Sequence, residues 1–180
     1  MNQPIKIAIL AFLFMTVGCK GAPRARLADI GYSSELGLTA GYFHYAEEGP
    51  GAYFAASVKS IDGGRGTDYT GILGKDGFPG DEKTGEDTDG AGLSAGVTFS
   101  PARKIGLYAG MAFVGSTTYC NFYDSTGILD PSGHYHVECD EESTVGLELG
   151  AHYFVSEKVM FGLRHNTEFE ATAFVLGFGF

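Results

Sequence analysis

The chain has 180 residues, enough for one domain of ordinary size, and its 28 Gly, 14 Phe and 10 Tyr without any Trp favour β structure joined by tight turns. A formal net charge of −10, with only 12 Lys and Arg scattered along the chain, excludes the basic face that nucleic acid requires. Beyond the N-terminus there is no run of about 18 apolar residues, which excludes membrane-crossing helices but not strands, because those need only about 9 to 11 alternating residues.

Residues 1–18 carry one Lys, at position 6, then the apolar run from Ile7 to Met15 and small residues before Cys19. This is the layout of a bacterial secretory signal and is set apart from the fold. Thr16, Val17, Gly18 and Cys19 resemble a lipobox, whose cysteine is lipidated and becomes the mature N-terminus, although Thr16 stands where a Leu is usual. Plain cleavage in the following Ala-containing segment is the alternative. Residues 19–33 read as a flexible leader.

A β domain is expected over residues 34–180. Its first strand sets Leu36, Leu38, Ala40 and Tyr42 against Glu35, Gly37, Thr39 and Gly41. A turn at Glu47, Glu48, Gly49 and Pro50 leads to a second strand, with Phe54, Ala56 and Val58 on one face and Tyr53, Ser57 and Lys59 on the other. Asp62, Gly63 and Gly64 end it. A third strand is expected near residues 67–73, where Asp68 and Tyr69 break the alternation. Residues 75–89, rich in Gly and acids, read as a solvent loop.

The fourth and fifth strands, around the turn Pro101, Ala102 and Arg103, carry Leu93, Val97 and Phe99 and then Ile105, Leu107, Met111 and Phe113 on their apolar faces. Pairing Ser100 with Lys104 sets Phe99 opposite Ile105, Val97 opposite Leu107 and Leu93 opposite Met111, a continuous apolar band. Residues 117–142 form a second long loop, with six acids, no Lys or Arg, and two cysteines. With Cys19 set aside for lipid, Cys120 and Cys139 remain as an even pair in an exported chain, a candidate disulfide.

In the sixth strand Val145, Leu147, Leu149, Ala151 and Tyr153 oppose Gly146, Glu148, Gly150 and His152; in the seventh, Val159, Phe161 and Leu163 oppose Met160, Gly162 and Arg164. Pairing Phe154 with Lys158 places Glu148 opposite Arg164, a charge pair on the face that is otherwise small and polar. The last strand, residues 171–180, sets Thr172, Phe174, Leu176, Phe178 and Phe180 against Ala171, Ala173, Val175, Gly177 and Gly179.

A strand ending on Phe180 with aromatics at alternate positions resembles the C-terminal strand of bacterial outer-membrane β-barrels, where Phe174, Phe178 and Phe180 would form the assembly signal read by the barrel-assembly machinery. By strand count and turn pattern, residues 36–180 resemble the small barrels of the opacity-protein, OmpA-transmembrane-domain and OmpX type. The resemblance implies an all-β fold, an eight-stranded antiparallel up-and-down transmembrane barrel surrounded by outer-membrane lipid. The periplasmic turns are expected near Asp62, Pro101 and Ser156, and the outer connections at residues 47–50, 75–89, 117–142 and 165–170. The lumen would hold Glu35, Lys59, Glu148, His152 and Arg164, and eight strands leave an interior that side chains just fill.

The function expected is non-enzymatic: envelope integrity, surface interaction or adhesion through the acidic loops, with minor solute passage a lesser role. One alternative is a lipid-anchored, soluble lipocalin-like barrel whose apolar faces point inward around an apolar ligand. A second is an outer-membrane lipid-modifying hydrolase, because His165 and Thr167 loosely resemble the His-x-Ser arrangement of the lipid A 3-O-deacylase family, with Thr in place of Ser. His134, His136, Glu138 and Asp140, or Asp87 and Asp89, could meet a divalent metal, but neither set has the spacing of a known site and solvated acidic loops are the expected reading. No cofactor motif is present.

Overall fold

The computed structural model describes residues 23–59, 66–129 and 131–180. They form nine strands: β1 (Pro23–Ser33), β2 (Gly37–Ala46), β3 (Gly51–Lys59), β4 (Thr67–Asp68), β5 (Glu82–Ala102), β6 (Ile105–Tyr123), β7 (His134–Phe154), β8 (Val159–Asn166) and β9 (Ala171–Gly179). Eight of them, all but β4, pair antiparallel in a ring that runs β7-β6-β5-β3-β2-β1-β9-β8 and closes through β7 and β8. The expected signal segment and Cys19 lie outside the described residues, as do Asp62, Gly63 and Gly64.

The expected count of eight holds with a different membership. The segment read as a leader is β1, a full stave paired with β2 on one side and β9 on the other. Its alternation is real, Leu27 and Asp29 inward against Ile30 and Tyr32 outward, but an acid on the inner face hides it from a search for apolar periodicity. In place of the strand expected near residues 67–73 there is only β4, two residues pairing parallel with β7. One added strand at the start reverses the sidedness of the first half. Residues 47–50 lie at the same end as the start of β1 and the end of β9, with turns 103–104 and 155–158, and β3 ends and β5 begins at the opposite end.

The segments 75–89 and 117–142 are largely strand rather than loop. At 21, 19 and 21 residues, β5, β6 and β7 are about twice the length a membrane strand needs. Their outer halves stand clear of the barrel as a three-stranded ribbon. Two hairpin registers also differ by two residues from expectation: Phe99 faces Leu107 and Leu93 faces Phe113, while Phe154 faces Met160 and Gly150 faces Arg164. An even slip leaves every side chain on its expected face.

That facing decides between barrel types. Leu38, Phe54, Leu93, Leu107, Leu147, Leu149, Phe161, Leu163, Phe174 and Phe178 all point outward and are exposed. The interior is filled by Phe43, Tyr45, Tyr53, Tyr108, Met160, His152 and Arg164, each at most 3% exposed. A lipocalin-like barrel requires the reverse, an apolar cavity within and a polar coat without, so that alternative is contradicted. The small inward residues make room for the large ones. A Cβ on Gly150 would stand 2.2 Å from the Tyr108 ring, and one on Gly106 would stand 2.6 Å from the Tyr45 ring.

Candidate functional site

Two places gather polar chemistry: the middle of the barrel and the ribbon. In the barrel, β8 projects Arg164 inward, fully buried. Its Nη2 donates to Asp29 Oδ1 at 2.6 Å, its Nε donates to the Tyr108 hydroxyl at 3.4 Å, and its Nε lies 3.7 Å from Glu148 Oε1. The guanidinium also sits 5.6 Å from the centre of the Phe43 ring. On the far side of Asp29, His152 Nε2 lies 3.3 Å from Oδ2, and His152 Nδ1 is 2.9 Å from the Tyr45 hydroxyl.

Phe43, Tyr53, Tyr108 and His152 pack ring on ring around these charges, with centroids 4.6 to 5.2 Å apart. Glu148, His152 and Arg164 are thus brought together. Glu148 and Arg164 are not cross-strand neighbours, since Glu148 faces Asn166, and the carboxylate closest to Arg164 is Asp29. Asp29 escaped sequence reasoning because it lies in the segment read as a leader; the signal was its place between Leu27 and Gly31 on an alternating run.

The other two expected lumen groups lie higher. Lys59 Nζ donates to Glu35 Oε2 at 3.3 Å, and the Glu35 side chain is 60% exposed, so this pair sits at the outer rim. Between the rim and the charge cluster, Leu36, Ala171 and Ala173 pack with Phe169. Asn166 Oδ1 accepts from the backbone N–H groups of Glu168 and Phe169, and this turns the Phe169 ring toward Gly90 and Gly92. The outer mouth is stoppered by its own hairpin.

His165 and Thr167, the residues weighed for hydrolysis, are used separately. His165 Nδ1 is 3.0 Å from Thr172 Oγ1, and Thr167 Oγ1 accepts from the Leu147 N–H at 2.9 Å. A nucleophile needs its base within hydrogen-bond reach, and no such bond joins these two. Among the described residues no three His, Cys, Asp or Glu side chains converge as metal ligands. His136 lies 3.7 Å from Asp68, and Asp87 accepts from Asn121.

The ribbon has a small core of its own. Cys120, Phe122, Tyr135 and Val137 are buried on its inner face, and Tyr69, Leu73, Leu129 and Cys139 pack against them. Cys120 and Cys139 are disulfide-bonded, their Cα atoms 5.8 Å apart, beside the bulge that follows Thr118. The turn between β6 and β7 is organised by Asp124, whose carboxylate accepts from the N–H groups of Thr126, Ile128 and Leu129 and from the Thr126 hydroxyl. These bonds, those from the Leu129 N–H and the Thr126 hydroxyl foremost, outweigh the effect of burial and lower its pKa to about 2.

No family model matches the sequence, and none of the curated proteins matches it. Among solved structures, it is similar to Ail, the attachment invasion locus protein of Yersinia pestis. The crystal structure of Ail aligns at 7% identity and TM-score 0.47, over 86% of this chain and 91% of that one. The complex of Ail with the heparin analogue sucrose octasulfate aligns at 10% identity and TM-score 0.41, over 86% and 92%. The Ail backbone structure in a phospholipid bilayer nanodisc aligns at 14% identity and TM-score 0.42, over 87% and 97%. The chain's own geometry is a closed eight-stranded antiparallel barrel with an apolar outer belt, an interior of packed aromatic rings around a charge cluster, and a disulfide-pinned ribbon at one end.

Proposed function

We propose that the chain is an integral protein of the bacterial outer membrane, with a non-enzymatic role in surface interaction, adhesion or envelope integrity exercised by the ribbon outside the cell. The observation that carries this reading is the facing of the strands. A ring of Leu, Ile, Val, Phe and Tyr is turned outward around an interior packed with aromatic rings and a buried charge cluster. In water such a belt is a liability; in lipid it matches the solvent, and a closed ring leaves no strand edge unpaired in the hydrocarbon.

Residues 1–18 would direct export, Cys19 would carry lipid or be removed with the signal, and Phe174, Phe178 and Phe180 would hand the last strand to the barrel-assembly machinery. The end with the start of β1, the end of β9 and the short turns 47–50, 103–104 and 155–158 faces the periplasm, and the ribbon faces outward. The interior groups are tied to one another beneath the Phe169 stopper, which suits a structural plug better than a reaction centre or an open conduit.

The test begins with membranes from expressing cells, washed with alkaline carbonate and run on a denaturing gel with and without boiling. Retention in the pellet together with a mobility change on boiling is expected, and release or an unchanged mobility would refute the membrane barrel. Cells carrying a version with the ribbon replaced by short turns are then compared with the parent for attachment to surfaces and for detergent sensitivity. Equal behaviour in both assays would refute the ribbon's role.

A further inference from the structure

The two faces of the ribbon are unlike. The inner one is covered by residues 66–81 through Tyr69 and Leu73. The outward one continues the lipid-facing surface of the barrel above the membrane. There Tyr119, Asn121 and Tyr123 of β6 lie beside His134 and His136 of β7 and Asp87 of β5, with Tyr123 opposite His134, Asn121 opposite His136 and Asp87 opposite Tyr119. Rings pair across the strands: Tyr119 with His136 at 5.3 Å and 86°, and Tyr123 with His134 at 5.2 Å and 55°. Carboxylates flank them, since Asp87 is held by Asn121 Nδ2 at 2.7 Å and Asp68 of β4 stands 3.7 Å from His136 Nε2.

We infer that this outward face binds a lysine- or arginine-rich segment of a partner protein, an inference that rests on the surface-interaction role proposed above and names its partner's chemistry. Charge selects the sign of the partner. Residues 117–142 carry six acids and no Lys or Arg, and residues 82–89 carry four acids and one Lys, so the ribbon attracts cations and repels polyanions. The tyrosines select cations over other attracted groups, because Lys and Arg are drawn to the faces of aromatic rings. Rigidity favours affinity: the disulfide, the inner core and the ladder hold the face before a partner arrives, so little ordering is needed on binding. A neutral sugar would stack on the same rings but would gain nothing from the field.

The experiment uses the full-length protein folded in detergent micelles with its disulfide intact, and a fluorescein-labelled deca-lysine peptide read by anisotropy at low and at physiological salt. Deca-glutamate and maltohexaose are run as competing probes. Deca-lysine should bind saturably and weaken with salt, while the other two should not bind. Tyr119→Leu with Tyr123→Leu keeps apolar, strand-compatible bulk but removes both tyrosine rings, and should weaken binding by about 5- to 30-fold, the loss of two exposed cation–π contacts.

Glu47→Gln with Glu48→Gln makes a charge change at the opposite end of the barrel and should leave affinity within about twofold. The inference is overturned if the tyrosine pair binds like the parent, if the Glu47 and Glu48 pair weakens binding as much as the tyrosine pair does, or if maltohexaose binds in place of the peptide. A gel of the same samples separates the two readings. A parent without the boiling shift refutes the barrel, whereas a shifted parent that fails to bind deca-lysine refutes only the partner.

Discussion

Arg164→Leu is the substitution whose effect follows most directly from the structure. Arg164 is the cation of a buried cluster in which Asp29 Oδ1 stands 2.6 Å away and Glu148 Oε1 3.7 Å away, both side chains at most 4% exposed. Leucine fills much of the space but leaves two carboxylates with no guanidinium between them. Removing one member of a buried ion pair costs about 3 to 5 kcal/mol, because the remaining charge keeps its desolvation penalty without its partner. That is roughly two to four orders of magnitude in the folding equilibrium. With no Trp in the chain, urea unfolding in micelles is followed by far-ultraviolet circular dichroism and by the boiling-dependent gel shift. Adding Asp29→Asn and Glu148→Gln to the Arg164→Leu protein neutralises the orphaned groups and should recover most of the loss. A single variant within about 1 kcal/mol of the parent, or a triple variant no better than the single, would refute the cluster's role.

Leu149→Arg, on the outward face at the middle of the barrel part of β7, should impair membrane assembly by about 2 to 4 kcal/mol, whereas Ile105→Arg at the start of β6 should cost about 0 to 1; equal assembly of the two would contradict the depth assigned to them. Cys120→Ser with Cys139→Ser should leave the barrel's gel shift intact while raising amide exchange and protease cleavage in residues 115–143, since closing a loop with a separation of 19 contributes roughly 3 kcal/mol. Asp124 has its pKa lowered to about 2 against about 3.9 in an unfolded chain, so its support of the loop is present above about pH 4 and is lost as pH falls through about 2. Amide protection at Ile128 and Leu129 should follow that window in the parent, and should be weak at every pH in Asp124→Asn.

The facing of the side chains was legible in the sequence; the partners of the charges were not. Period 2 fixes which residues share a side, and it survives a two-residue slip, which is why Leu93, Val97 and Leu107 point outward although their cross-strand neighbours differ from expectation. Register depends instead on turn geometry, and strand β5 continues past Pro101 to Ala102 so that the turn tightens to residues 103–104. In the hairpin of β7 and β8 the turn instead takes up residues 155–158, so Arg164 faces Gly150 rather than Glu148 and reaches Glu148 along the lumen. Composition misled in the ribbon, because acids and glycines describe a solvent-exposed strand as well as a loop. The buried positions Cys120, Phe122, Tyr135 and Val137 alternate with the polar ones, and that period marked the ribbon as sheet.

Closure of the barrel fixes where its first strand must begin. Eight antiparallel staves return the chain to the end where it started, so every second turn lies on the side of the termini. With the count begun at residue 34, the acidic turn 47–50 falls outside and the long connection after β3 begins inside, which mixes short and long segments at both ends. Begin it at β1, and the turns 47–50, 103–104 and 155–158 all fall on the terminal side, while both long connections, after β3 and after β6, fall on the other. Every turn on one side is then short and both long connections lie on the other, beside the short turns 34–36 and 167–170. It also places Asp29 opposite Gly41 on β2 and Gly177 on β9, two neighbours without side chains, so its carboxylate has room to reach Arg164. A polar residue inside an apolar-looking barrel is thus read better from what closure demands of the whole chain than from the hydropathy of its own segment.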